Sequence, residues 1–210
     1  MCMKRTLLGM VVGCLAAAAA NAAPVCKPSS WMKSYDYPGA RIIPTNNNLI
    51  LPTGKAIPAE GQTLILKGKL LDSECKPVPE AMVELWQTGP FGRWMVANRE
   101  DLAAVRAVFA GAGRTYTNAD GEFTFITAFP APLRYAAPNI NVRVKPERMK
   151  EYRSALFFAG DVRNPKERAL KHLTNEKMQQ ISIGVEQGDD DSLNGNITLV
   201  LPGKAPYRTY

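Results

Sequence analysis

The sequence predicts an all-β chain, folded as an antiparallel β-sandwich with short helical insertions. Three observations predict it. From Gln62 onward the chain breaks into short apolar or alternating segments of strand length. Gly, Pro and Asn punctuate them. Helical signals are confined to three short insertions, so the core has to be built from sheets.

Residues 1–22 read as an export signal that precedes the fold. Lys4 and Arg5 form a short positive region, and Thr6 to Ala20 is an apolar run without a charge. Ala20-Asn21-Ala22 then offers small residues where a signal peptidase cuts. The run is too short and alanine-rich for a good membrane span. A second reading takes Val11-Val12-Gly13-Cys14 as a lipoprotein cleavage box, with Cys14 lipidated for the outer membrane. In either reading the chain is exported, to the periplasm or beyond the cell.

Residues 23–61 read as an extended N-terminal arm, rich in Pro, Asn and Gly and without apolar repeats. Export changes how the cysteines read. Past residue 22 only Cys26 and Cys75 remain, an even pair in an oxidising compartment. Their disulfide would pin the arm to the first hairpin, worth up to about 4 kcal/mol by chain entropy. Two free thiols are the other reading. Composition argues against a zinc site, because no second cysteine pair follows and His172 is the sole histidine.

Residues 62–210 form the domain. Strand candidates run Thr63 to Leu71, Ala81 to Trp86, Gly121 to Thr127, Asn139 to Lys145, Ser154 to Phe158 and Asn196 to Leu201. Asn139 to Lys145 alternates cleanly, with Ile140, Val142 and Val144 facing one way. Helices are expected from Asn98 to Phe109, from Asn164 through Pro165 and Glu167 to Leu170, and from Thr174 to Gln180. Asp189-Asp190-Asp191 is similar to a fragment of a calcium loop, but a solvated turn is the preferred reading.

The formal net charge is +7, and loss of Lys4 and Arg5 lowers it to +5. The surplus is dispersed and no nucleic-acid motif accompanies it, so solvated basic surface is the simplest reading.

Several segments together resemble the intradiol ring-cleavage dioxygenases, the family of protocatechuate 3,4-dioxygenase and catechol 1,2-dioxygenase. They are Ile65-Leu66-Lys67-Gly68, Pro77-Val78-Pro79, Val83-Glu84-Leu85-Trp86-Gln87, Gly92-Arg93-Trp94, Gly113 through Phe123, Pro130-Ala131-Pro132-Leu133 and Leu156 through Asp161. The resemblance spans Gln62 to Asp161 and implies that family's sandwich. It also implies a ferric centre held by two tyrosinates and two imidazoles. On the ungapped match those positions carry Trp94, Leu133, Asn139 and Asn141, and two further active-site positions carry Ala136 and Ala155.

Ferric iron is a hard cation that anionic oxygens stabilise. Indole and isobutyl groups offer it no usable lone pair, and neutral carboxamides do not replace what is lost. The expectation is therefore no catalytic residue, no metal and no cofactor. Tyr116 and Tyr135 lie close enough in sequence to approach the former site, and they are candidate pocket residues. Asn139 and Asn141 share one strand face, as two ligands must. There they either complete a packed, hydrogen-bonded corner or line a pocket for an aromatic or glycan ligand.

Three functions follow. The first is an exported non-catalytic binding module or partner subunit, since protocatechuate dioxygenase itself pairs an iron-bearing subunit with an iron-free one of similar fold. A partner or a second copy would dock on the arm or on the Pro206–Tyr210 tail. The second is a secreted intradiol dioxygenase with iron(III) and unusual ligands, acting on catechols. The third is a small-molecule or glycan binder using the vacated cavity.

Overall fold

The computed structural model describes residues 25–38, 42–51, 58–94, 109–133, 136–188 and 190–205. The expected export signal, Cys14, the helix expected from Asn98 (all but Phe109), Tyr135, Asp189 and the C-terminal tail lie outside these residues.

Among the described residues eight strands make the fold: β1 (Thr63–Leu71), β2 (Met82–Gln87), β3 (Ala112–Tyr116), β4 (Glu122–Ala128), β5 (Asn139–Lys145), β6 (Tyr152–Phe158), β7 (Ser182–Gln187) and β8 (Leu193–Val200). They hydrogen-bond in the order β3-β2-β5-β6-β7-β8-β1-β4. The result is a β-sandwich of two four-stranded halves. The antiparallel half β3-β2-β5-β6 joins the half β7-β8-β1-β4 through one short parallel pairing, Phe157 with Ser182 and Phe158 with Ile183. β1 and β8 are also parallel, along eight residue pairs. Two strands escaped the sequence reading. β3 is Ala-Gly-Arg-Thr-Tyr, with almost no apolar content, and β7 is interrupted by Gly184.

Strand alternation builds the core. Leu64, Leu66 and Leu70 of β1 meet Val83 and Leu85 of β2, Phe125 of β4, and Ile140, Val142 and Val144 of β5, all fully buried. Each such side chain contributes about 1.5–3 kcal/mol relative to exposure. Gly68 is dictated by this packing: a Cβ there would stand 2.0 Å from the Phe123 ring.

The arm, read as extended and without apolar repeats, nevertheless contributes to the core. Leu49 is fully buried in the main core, and Ile43 is buried beside Trp86 and Ala112. Residues 46–49 bond to both terminal strands of the sheet: Arg114 N–H donates to Asn46 O, while Leu49 N–H donates to Ile126 O. This segment bridges β3 and β4. Its pairing is carried by backbone atoms, so it leaves no apolar period to read.

The Cys26–Cys75 disulfide is formed. Beside it Cys26 N–H donates to Ser73 O, so the arm is tied to the β1–β2 turn twice. In that turn Lys204 and Lys76 bond the Glu74 carboxylate and hold it below the usual glutamate range.

The expected Asn164–Leu170 helix is instead a single 3-10 turn, Asn164–Lys166. Glu167 leaves it in an extended conformation, and its carboxylate accepts from Ala137 N–H and Ala169 N–H. The last expected helix is present as α1 (Asn175–Gln180), capped by the Thr174 hydroxyl. Among the described residues no helix is long and apolar enough to cross a membrane.

Candidate functional site

The outward face of β3-β2-β5-β6 is built in cross-strand rows. One row reads Ala112, Trp86, Asn141, Ala155 across the four strands. The next reads Arg114, Glu84, Arg143, Arg153. Asn139 sits one step further along β5, opposite Phe157. The strand period of two puts Asn139 and Asn141 on one face, as the alternation predicts, and the β5–β6 register sets Ala155 beside Asn141.

Loops supply Trp94 and Leu133. Trp94 bridges back to Thr88, whose hydroxyl donates to Ala131 O at 2.7 Å. Gly92, at φ +67°, lets this turn press on the neighbouring loop: a Cβ there would meet Pro132 O at 2.7 Å. Trp94, Leu133 and Asn139 then line one small cavity with Tyr35, Thr88, Ala131 and Ala137.

The residue that sequence reasoning missed is Tyr35. The arm crosses this outward face, and Tyr35 N–H donates to Asn141 Oδ1 at 2.9 Å. Asn141 Nδ2 donates to Trp86 O at 3.3 Å and to Asn139 Oδ1 at 3.5 Å. Asn139 Nδ2 donates to Ala137 O at 3.0 Å. The Tyr35 ring meets the Trp94 ring edge-on at 5.9 Å. Its carbonyl accepts from Trp86 Nε1 and from Arg153. No periodicity marks Tyr35, because its placement depends on the arm's path over the sheet.

Arm and face are stitched along their length. Ala155 N–H donates to Met32 O, and Met32 N–H to the Ser154 hydroxyl. The Tyr152 hydroxyl donates to Ser30 O at 2.7 Å, and burial pushes this phenol up to about 12. Beneath the arm, Glu84 is buried and ion-paired with Arg143. Arg153 pairs with Asp36 and lies 5.3 Å over the Trp86 ring.

The space that remains is about 10 Å³, at most room for one water. Its walls do not supply the donor set a ferric ion needs. The Trp94 and Leu133 side chains bring no oxygen, the Asn141 carboxamide is engaged on both atoms, and the lining offers one phenol, Tyr35, and no imidazole. Among the described residues no group of three or more His, Cys, Asp or Glu is placed to hold a metal.

The other candidates lie elsewhere. Tyr116 is exposed at the opposite end of β3, paired with Met82, and does not approach the cavity. Ala136 adjoins the site in the loop before β5, its N–H donating to Leu133 O. His172 is exposed in a turn before α1. Asp190 belongs to the β7–β8 turn. There the Ser192 hydroxyl donates to it and holds its carboxyl below the usual range.

Comparison with known proteins sets this sandwich among the ring-cleavage dioxygenase folds. A family model described as Dioxygenase matches residues 40–169. An intradiol ring-cleavage dioxygenase from Tetranychus urticae superposes with a TM-score of 0.65 at 18% identity, over 84% of this chain and 95% of that one. The dioxygenase domain of a dioxygenase carbohydrate-binding protein fusion from Streptomyces sp. SirexAA-E superposes with a TM-score of 0.59 at 20% identity, over 87% of this chain and 99% of that one. In sequence, the protocatechuate 3,4-dioxygenase alpha chain of Burkholderia cepacia is 35% identical over 100 residues, 46% of this chain and 49% of that one. The chain spans about half the length of the first relatives it matches, 54% in two of them. This chain belongs to the intradiol dioxygenase family.

Proposed function

We propose that this chain is an exported, non-catalytic member of the family, working as a binding module or partner subunit. One observation carries the reading. Trp94, Leu133 and Asn139 enclose only about 10 Å³, and the arm closes that space through Tyr35 and Asn141. A catechol and a ferric ion would both have to displace this packing. The same volume counts against a small-molecule ligand in the former cavity. Export is supported by the apolar N-terminal run and by the Cys26–Cys75 disulfide, which suits an oxidising compartment.

Metal analysis of the protein purified from its native compartment, followed by catechol and protocatechuate assays, tests the reading. The expected sample is colourless, carries no stoichiometric iron and leaves both substrates intact. A tyrosinate-to-iron charge-transfer band with ring cleavage would overturn it.

A further inference from the structure

We propose that the outer edge of the arm, with the tip of the Gly89–Arg93 turn, forms a binding strip for an acidic glycan. This inference rests on the non-catalytic reading and names the ligand class for it. Along residues 31–35 the arm alternates. Met32 and Ser34 turn toward the sheet, while Trp31, Lys33 and Tyr35 face solvent. Trp31 is 70% exposed and Tyr35 46%, high values for rings on a segment so firmly held.

The strip is pre-organised. Ser30 N–H and its hydroxyl both bond Gln180, Met32 bonds β6 through both its backbone N–H and its carbonyl, and Tyr35 bonds Asn141. Backbone on either side of the Trp31 ring is thus fixed before any ligand arrives. A fully extended chain rises about 3.3 Å per residue, so at most roughly 13 Å of backbone separates Trp31 from Tyr35, with Lys33 between them. The Tyr35 ring continues into Trp94 by edge contact, and the adjoining turn projects Arg93 and Phe91, the latter 66% exposed.

Charge selects the occupant. Lys33 and Arg93 have no ion-pair partner among the described residues, whereas Asp36 at the edge of the strip is paired with Arg153. Rings separated by a cation suit a polymer that repeats flat C–H faces and carboxylates. Lys33 standing between the rings argues against a protein partner, because the buried core of a protein interface is depleted of charged residues, lysine among them. A uronate-bearing glycan offers both features: its sugar faces stack on the rings, and its carboxylates meet Lys33 and Arg93.

The test uses the full mature chain with its disulfide intact, titrated calorimetrically with oligogalacturonate and, as a neutral control, with β-galactan oligosaccharides. Wild type is expected to bind the acidic oligomer and to prefer it over the neutral one. Trp31→Ala should weaken binding about tenfold, the scale of one lost ring contact. Lys33→Ala combined with Arg93→Ala should abolish the preference and the salt dependence. Val162→Ala, exposed elsewhere, should bind as wild type does.

Any of four results overturns the proposal: no binding of oligogalacturonate, equal binding of the neutral oligomer, unchanged affinity in Trp31→Ala, or a dimer that Trp31→Ala dissociates. Iron measured on the same sample separates the two claims. Stoichiometric iron sinks the non-catalytic reading, while iron-free protein that ignores oligogalacturonate sinks this inference alone.

Discussion

The two halves of the sandwich share one core but treat their outward faces in opposite ways. On β8-β1-β4 that face is a solvated row of Lys67, Lys69, Glu122, Thr124, Asn196 and Thr198, of the kind that a sheet needs only to stay soluble. On β3-β2-β5-β6 the corresponding face carries buried Trp86, Glu84 and Asn141 under the N-terminal arm. A sheet that buries both faces needs a second layer over the outer one. In this molecule that layer is the chain's own arm, held by backbone hydrogen bonds, a ring contact and a disulfide at its head.

Removing the most deeply committed side chain of the covered face should hurt most. Trp86 is buried, donates to Tyr35 O and lies under Arg153. Trp86→Ala is expected to cost about 3–5 kcal/mol in chemical denaturation. It should also free the arm, seen as faster amide exchange at Tyr35. A loss below about 1 kcal/mol would mean that the arm and face are not one packed unit.

Alkaline pH tests the same seam without a mutation. Burial pushes the Tyr152 phenol up to about 12 from an ordinary value of 10.0. The folded state then keeps a proton that the unfolded state loses. Stability is fully present below pH 10 and falls as pH rises toward 12, by roughly 3 kcal/mol for two units. Tyr152→Phe removes the titrating group and should flatten this part of the curve. Parallel curves for the two proteins would show that the phenol is not the cause.

The seam's polar centre should show a smaller effect. Asn141→Ala leaves Tyr35 N–H and Trp86 O without their side-chain partner, at a cost of about 1–3 kcal/mol. Its most specific signature is faster exchange of the Tyr35 amide, while strands on the other half stay protected. An unchanged Tyr35 amide would show that the carboxamide does not anchor the arm.

These regions also differ in how far the sequence revealed them. Core strands β1 and β5 were legible to the residue, because a buried face imposes a period of two on Leu64, Leu66 and Leu70, and on Ile140, Val142 and Val144. The same period predicted that Asn139 and Asn141 would share a face. The closure over them was not legible. Tyr35 and Leu49 act through backbone atoms whose partners lie 106 and 77 residues away, and such contacts leave no local pattern. Tyr116 misled for a related reason: nearness in sequence to a site says nothing about which end of a strand faces it.

The smallest expected effect is the control that gives the others meaning. Thr124 lies on the solvated face, where Asn47 Nδ2 donates to its carbonyl and its side chain bonds none of the described residues. Thr124→Ala should shift stability by no more than about 0.5 kcal/mol, and Lys67→Ala likewise. Both should leave the Tyr35 amide and the alkaline limb unchanged. If either moved the Tyr35 amide as far as Asn141→Ala does, the two faces would be coupled through the core. The arm could then no longer be treated as a local closure over one sheet.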